Sequence, residues 1–453
     1  MIKDISNVNS DYKYFKSYNH TFEAKKTMLY PKNITELKNI FIYLKSKKKK
    51  VLIRTGNCGH GDKTQLASSD YVISLENLNK IKKIDKKKMT ADIEAGANLF
   101  QIFKYLEKKD FKVFNIPGGK NVSLGGAISG NVHGRPRRSG YSVFGDNVIS
   151  LKILNPNGKI VILNRNNKLF FKVIGGLSLF GIILEAKIKI FKLEKASYHF
   201  NHFQINSKNE FQIFNKNFKF FYGYINFFNK HKLQGNFITI KKSDKIDNVL
   251  EKKKNDFLLK SINFLKIDTF LSFFINRFTL KFFYYFLFKS SQYIFSNKKE
   301  VSNYERSIYF ININTYLPYY FRKGMIEIQF SVPKKNILKT INQIKSLQFK
   351  FNVFPFFFIL KKTAISKGKY IFNFPKYNHC ISLGFSKHTN IISKKFFRSL
   401  YKLIYNNQGN IYVTKDETFL YNNPKKKFIN FCKCVLNYNK IISSDFKEKL
   451  LKI

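Results

Sequence analysis

Residues 116–134 read Ile-Pro-Gly-Gly-Lys-Asn-Val-Ser-Leu-Gly-Gly-Ala-Ile-Ser-Gly-Asn-Val-His-Gly. So much glycine is costly inside a strand or a long helix, so here the chain turns tightly or approaches something closely. A shorter cluster, Arg54-Thr-Gly-Asn-Cys-Gly-His-Gly-Asp62, follows the apolar run Val51-Leu-Ile. Glycines this close together let backbone N–H groups converge on an anion, typically a diphosphate. The loop is not a Walker sequence, because no Gly-Lys-Ser/Thr follows. It is not the Rossmann fingerprint either, since the G-x-G-x-x-G spacing and the helical pattern after it are absent. Alone it reads equally well as a surface turn. The longer cluster is more specific, because its small residues frame a single histidine, His133, in an order that packing does not explain.

At 453 residues the chain exceeds one compact core, and two or three domains are expected. With 44% hydrophobic and 17% aromatic residues it has ample apolar surface to bury. The 82 basic residues outnumber 28 acidic ones, a field that attracts nucleic acid, anionic membranes and anionic substrates. The lysines are nevertheless spread along the chain, with short runs at 47–50, 86–88, 252–254 and 425–427. No helix-turn-helix, zinc-finger or RNA-binding signature accompanies them, so no nucleic-acid partner is expected and a solvated basic surface is the plainer reading. Cys58, Cys380, Cys432 and Cys434 are too few for a disulfide framework, and no metal-ligand spacing occurs. Residues 1–20 lack the apolar core of a signal peptide. The apolar tract 257–295 is broken by Asp268, Arg277, Lys281 and Lys289, below the roughly 18 apolar residues of a spanning helix. A cytoplasmic protein, with peripheral membrane contact as a second expectation, follows.

Along the chain, Asn33 and Glu36 predict the cap of a helix whose apolar stripe is Ile34, Leu37, Phe41 and Leu44. Residues 51–54, 71–74 and 91–95 predict strands, and a helix from Asn98 turns Leu99, Ile102, Phe103 and Leu106 inward. Residues 148–154 and 159–163 flank Asn157-Gly158 as a hairpin with a type I′ turn. Residues 182–190 read as a half-buried strand. Past about residue 195 glycine thins out and aromatic, Lys- and Asn-rich segments take over. Residues 325–332 alternate as a strand ended by Pro333, 336–347 as a helix, and 356–360, 381–385 and 410–414 as strands. The fold class is α+β. The expected domains are 15–193, 194–410 and a C-terminal segment, 411–453.

The order and spacing of Arg54 to Asp62, Pro117-Gly118, Gly125-Gly126-Ala127-Ile128, His133-Gly134, Phe144-Gly145, Gly175-Gly176 and Gly181-Ile182-Ile183 resemble the FAD-binding domain of the vanillyl-alcohol oxidase and para-cresol methylhydroxylase family. The resemblance implies a two-part FAD-binding domain and a cap domain with an antiparallel sheet and flanking helices. It assigns FAD to Arg54, Thr55, Gly56, Asn57, Cys58, Gly59, His60 and Gly61 in the first loop. In the second stretch it assigns Pro117, Gly118, Ser123, Gly125, Gly126, Ser129, Gly130, Val132, His133 and Gly134. Gly181, Ile182 and Ile183 form the opposite wall.

Three later stretches, 324–333, Tyr377-Asn-His-Cys380 and 409–416, are most similar to the branch of that family that oxidises a polyprenyl-phosphate ribose. That similarity implies catalytic roles for Lys415, Tyr412 and His133, and substrate roles for Gln329, Lys361, Asn378 and Cys380. The implied reaction is hydride transfer from a carbinol carbon of a small-molecule or lipid-linked sugar to the flavin, with a partner reductase completing an epimerisation. An aldonolactone or alditol oxidase of the same family is the alternative, and a basic nucleic-acid-binding protein the non-enzymatic one. Each residue also has a plain structural reading: His133 in a buried hydrogen bond, Lys415 on the surface, Cys380 as a small core residue. Some relatives attach FAD covalently through a His in the first loop. Cys58 stands there in this chain, so noncovalent FAD is expected. Glu327 replaces a Gln of that branch, and Arg137-Arg138 replace a His pair.

Overall fold

The computed structural model describes residues 5–56, 58–59, 69–115, 117, 121–134, 140–193, 197–243, 279, 281–282, 285, 300–302, 324–387, 391–415 and 442. Most of the tract 257–295, the basic runs at 252–254 and 425–427, Arg137, Arg138, Cys432 and Cys434 lie outside the described residues. The chain forms two compact units, one from Met1–Leu193, Ser366–Asn373 and Val413–Ile453, the other from Glu194–Ile365 and Phe374–Tyr412.

The first unit carries two main sheets. In one, β1 (Ser10–Lys16) pairs antiparallel with β2 (Glu23–Leu29), while β3 (Val51–Arg54) and β2 flank β4 (Tyr71–Ser74) in parallel. Between β2 and β3 runs α1 (Ile34–Ser46), where the Asn33 side chain accepts from Glu36 N at 2.9 Å. The Glu36 carboxylate turns back and accepts from Lys32 N, satisfying a donor just outside the helix. The second sheet is antiparallel, in the order β5 (Ile81–Asp85), β6 (Thr90–Glu94), β10 (Ile182–Lys189), β8 (Val148–Leu154), β9 (Ile160–Asn164). A minor pair joins β7 (Phe111–Lys112) to β11 (Phe191–Lys192). Helix α2 (Leu99–Glu107) has a full capping box at Asn98 and Gln101 and buries Leu99, Ile102, Phe103 and Leu106. Two short helices follow, α3 (Leu124–Ser129) and α4 (Lys168–Val173).

The β8–β9 connection corrects the type I′ expectation. Gly158 has φ +84°, but Asn157 is not among the residues with positive φ, and Gly158 N donates to Asn155 O at 2.9 Å. Pro156 fixes the first central residue of the turn near φ −65°, which a type I′ turn forbids. Asn155 Oδ1 then accepts from Asn157 N and Lys159 N, both at 3.0 Å.

The second unit is built on one eight-stranded sheet in the order β15 (Glu300–Ser302), β12 (Ser197–Ile205), β14 (Gly235–Ser243), β13 (Phe221–Ile225), β17 (Phe357–Lys362), β18 (His379–Ser386), β16 (Met325–Val332), β19 (Asn410–Ile411). Every pairing is antiparallel. Three longer helices accompany it, α5 (Lys208–Asn217), α6 (Ile337–Phe351) and α7 (Ile391–Asn406). Phe211 and Phe214 of α5 meet Phe237 of β14, and Phe396 and Phe397 of α7 meet Phe385 of β18. One sheet face therefore holds the aromatic core. The strand expected over 410–414 is shorter than predicted: pairing stops at Ile411, and Val413 to Lys415 form a turn.

Candidate functional site

A cleft in the first unit has about 1110 Å³ of atom-free space, counting its open mouth. Its floor comes from β3 and the loop after it (Arg54, Thr55, Gly56, Cys58, Gly59), and one wall from α3 (Ser123, Gly125, Gly126, Ser129, Gly130). Leu177, Ser178, Leu179, Ile183, Thr414 and Ile442 complete it.

The glycines do different work. A Cβ on Gly56 would lie 1.9 Å from Asn121 O, so that glycine lets two loops touch. At Gly125 it would meet Ala95 Cβ at 3.0 Å, a packing contact with β6's end. At Gly126 it would meet nothing but Ser123 Oγ, at 3.0 Å, so this helix position is kept bare toward the cleft. The first amides of α3 are engaged: Leu124 N to Ala97 O, Gly125 N to Ala95 O, and Gly126 N to Ser123 Oγ. The α3 turn thus offers a bound molecule clearance, while an anion's counter-charge comes from Arg54.

Arg54 is 6% exposed, donates to Lys16 O at 2.8 Å and stacks over Phe15. Burial lowers its pKa to about 10, against a raising effect of Cys58. A desolvated cation bordering a glycine-lined cleft is suited to a phosphate group. The Cys58 thiol donates to Gly56 O at 3.1 Å, and burial pushes its pKa up to about 11, with Arg54 opposing. It is therefore a neutral thiol at ordinary pH and a poor nucleophile.

Leu177 and Ser178 sit in the left-handed region, with φ +53° and +61°. Such strain in consecutive non-glycine residues needs over-determining contacts. Here Gly175 N and Leu177 N donate to the last carbonyls of α3, Ile128 O and Ser129 O, at 3.0 and 2.9 Å. The loop thereby closes the cleft next to Ile183.

The residues present fit a flavin dinucleotide: a bare helix position at Gly126, a buried cation at Arg54 and an apolar wall of Leu177, Leu179 and Ile183. Residues 26–164 match the model of the FAD binding domain. Over 149 residues the chain is 34% identical to decaprenylphosphoryl-beta-D-ribose oxidase of Mycolicibacterium smegmatis, covering 32% of each. Over 161 residues it is 26% identical to a putative D-arabinono-1,4-lactone oxidase of Neurospora crassa, covering 35% of this chain and 28% of that one. The matched stretch thus spans about a third of the curated relatives' length. In fold the chain is similar to cholesterol oxidase from B. sterolicum, with a TM-score of 0.75 at 14% identity over 99% of this chain and 98% of that one. The domain match and the cleft it contains mark residues 26–164 as an FAD-binding domain. Over this domain the chain is similar to FAD-binding oxidases such as decaprenylphosphoryl-beta-D-ribose oxidase.

Of the residues the sequence assigned to FAD, the cleft gathers Arg54, Thr55, Gly56, Cys58, Gly59, Ser123, Gly125, Gly126, Ser129, Gly130, Val132 and Ile183. Pro117, His133, Gly134, Gly181 and Ile182 are described but do not line it. Asn57, His60, Gly61 and Gly118 lie outside the described residues. Gly181 (φ +143°) packs a bend against Leu154 O. Lys415, half-buried, follows Thr414, whose Oγ1 donates to Gly130 O on the cleft wall.

In the second unit, register places Cys380 opposite both Ser331 and Lys361, and Gln329 opposite Ser382. Asn378 O accepts from Thr363 N, and Tyr412 N donates to Gln329 O at 2.8 Å. Phe374, Cys380 and Tyr412 form one cluster, with the Phe374 and Tyr412 rings stacked. Burial pushes the Cys380 thiol up to about 12, despite Lys361. Sequence reasoning missed Leu177, Ser178, Thr414 and Ile442. No composition signal marks a leucine that takes a positive φ, or a threonine that reaches a carbonyl 284 residues away.

Proposed function

We propose that the chain is an FAD-dependent oxidoreductase that oxidises a hydroxyl-bearing carbon of a sugar-type substrate. The bare position at Gly126, inside the matched FAD domain, carries this reading. When bound, the isoalloxazine supplies the redox chemistry by accepting a hydride equivalent. Arg54 compensates the diphosphate charge, Gly126 leaves room for the cofactor, and Leu177, Leu179 and Ile183 exclude water from the cleft wall. Lys415 would polarise the reacting hydroxyl and supply a positive charge beside the bound cofactor. Tyr412 and His133 orient ring and substrate, and Gln329, Lys361, Asn378 and Cys380 contact the sugar or its phosphate. With a neutral Cys58 thiol in the first loop, FAD binds noncovalently.

The finer substrate reading is a polyprenyl-phosphate ribose oxidised in an epimerisation with a partner reductase. It is supported by the 34% identical relative, and the basic surface suits an anionic lipid carrier. The aldonolactone reading keeps support from the arabinonolactone oxidase relatives. Among the described residues no helix is long and apolar enough to cross a membrane.

The test is flavin content. Purified chain should be yellow and should release FAD into the supernatant on acid precipitation. Flavin that stays with the precipitate overturns the noncovalent assignment, and a colourless chain that takes up no FAD overturns the reading.

A further inference from the structure

Between Glu327 and Asp416 the sequence holds no Asp or Glu, against sixteen Lys and Arg. Helices α6 and α7 fall in this stretch, so neither carries a carboxylate. They pack against each other within the second unit and run antiparallel. At one end Asn336 Nδ2, at the start of α6, donates to Asn407 O, just past α7, at 3.0 Å. At the other, Phe351 of α6 meets Phe396 of α7 with ring centroids 6.1 Å apart. The last turn of α6, which carries Lys350, therefore lies at the same end of the pair as the start of α7.

That end has a surface of two chemistries. While α7 buries Phe396, Phe397, Leu400 and Tyr401, it exposes Ile391, Ile392, Lys394, Lys395 and Arg398. Ile391, Lys395 and Arg398 stand four and three residues apart, which makes one stripe along a helix. Ile391 is 71% and Ile392 56% exposed. Lys350 is exposed as well, and among the described residues none of these four cations forms an ion pair. Cations in the opening turns oppose the helix dipole, and no acidic residue in the first turn of α7 offsets them. Bare isoleucines and like charges thus share one patch, an arrangement that an anionic partner with an apolar layer would relieve on both counts.

We infer that this end of the α6–α7 pair docks on the surface of an anionic lipid bilayer. Ile391 and Ile392 enter the boundary between headgroups and acyl chains, while Lys350, Lys394, Lys395 and Arg398 stay among the headgroup phosphates. Charge complementarity is one-sided here, because neither helix has a carboxylate for the lipid to repel. A basic stripe alone is ordinarily a solvated face. The exposed isoleucine pair is what selects lipid. A nucleic acid uses the same charge, but its bases stack on aromatic rings, and this stripe presents branched aliphatic chains instead. The inference goes beyond the redox reading and does not depend on it.

The experiment sediments full-length, FAD-loaded chain with vesicles of phosphatidylcholine alone or mixed with phosphatidylglycerol, at physiological salt. The mixed vesicles should bind the chain and the neutral ones should not. One basic residue held at an anionic surface strengthens binding about fivefold, so Lys394→Glu/Lys395→Glu/Arg398→Glu should weaken it about a hundredfold. Ile391→Ser/Ile392→Ser keeps every charge and should weaken it about tenfold. Lys86→Glu/Lys87→Glu/Lys88→Glu, in the exposed β5–β6 turn, changes the net charge equally and should bind within about twofold of the unaltered chain, because distant charges are screened. Bound flavin and circular dichroism report folding, and should one patch variant not fold, the other decides. Absence of binding to the mixed vesicles, unchanged binding in the patch variants, or an equal loss in the Lys86–Lys88 variant overturns the inference. So does binding of a single-stranded oligonucleotide in place of vesicles, lost in the charge variant and kept in the isoleucine variant, which gives the surface to nucleic acid.

Discussion

Thr414 Oγ1 donates a 2.8 Å hydrogen bond to the carbonyl of Gly130, and Thr414 Cγ2 lies 3.0 Å from where a Cβ on Gly130 would sit. The bond ties the turn that carries Lys415 to the C-cap of α3, whose Gly125, Gly126 and Ser129 line the cleft. It gives a physical reason why β19 stops at Ile411: beyond it, Thr414 is held by a carbonyl of another element.

Thr414→Val keeps the shape and removes the bond. A net hydrogen bond is worth about 1 kcal/mol, so FAD should stay bound. Substrate-driven flavin reduction should nevertheless fall about tenfold, because Lys415 loses its fixed position. Single-turnover reduction kinetics check this, and a wild-type rate would show the bond to be structural only.

Gly126→Val should abolish FAD binding while leaving the fold intact. Gly126 is helical, so the obstacle is space rather than backbone conformation: the added methyls would enter the cleft that its missing Cβ leaves open. Flavin per polypeptide, read with circular dichroism, decides it. Normal occupancy would reduce Gly126 to a packing residue.

Gln329→Met tests a fully buried amide neither of whose polar atoms has a hydrogen-bond partner. Removing an unsatisfied buried group should raise stability, by up to about 1–3 kcal/mol, while weakening sugar binding. Denaturant unfolding of the two proteins reads the first effect. A destabilised variant would mean that the amide is bonded structurally.

Much of this was readable in the chain. In α2 the cap Asn98 and the spacing of Leu99, Ile102, Phe103 and Leu106 give the helix and its buried face without further information. The alternation of Glu327, Gln329 and Ser331 with Ile328 and Phe330 likewise gives β16 its two faces. What alternation lacks is register: Gln329 and Asn236 share a row because of pairings among five strands. The hairpin at Asn157-Gly158 misled because Pro156 constrains the turn before the Asn-Gly pair acts. Leu177 and Ser178 were illegible because their positive φ is imposed by α3's carbonyls, not by their own chemistry.

His379 predicts acid sensitivity. It is fully buried, with Nε2 2.8 Å from Asn215 Oδ1, and burial, then Lys362 and Lys334, lowers its pKa to about 4. The unfolded chain takes up this proton near the ordinary value of 6.5. The contribution to stability is therefore complete above pH 6.5 and is lost as pH falls toward 4, on the order of 3 kcal/mol in total. The measurement is the pH dependence of unfolding, which His379→Gln should flatten in that window. An unchanged slope would remove His379 as its source.

Lys415→Ala should keep FAD and fold and lose reduction by a factor of about 100 or more, the scale for removing one preorganised charge at a developing charge. Lys402→Ala, exposed on α7, should behave as wild type, as surface substitutions do. Equal rates for all three proteins would return Lys415 to the surface.

The most direct test of the whole account is anaerobic mixing of the FAD-loaded chain with free sugars, oligosaccharides, aldonolactones and a polyprenyl-phosphate ribose, followed by flavin absorbance. Bleaching by at least one of them, reversed on admitting an electron acceptor, is the predicted result. A flavin that remains oxidised with every compound, while dithionite reduces it normally, would contradict the assignment of this chain as a sugar-oxidising flavoenzyme.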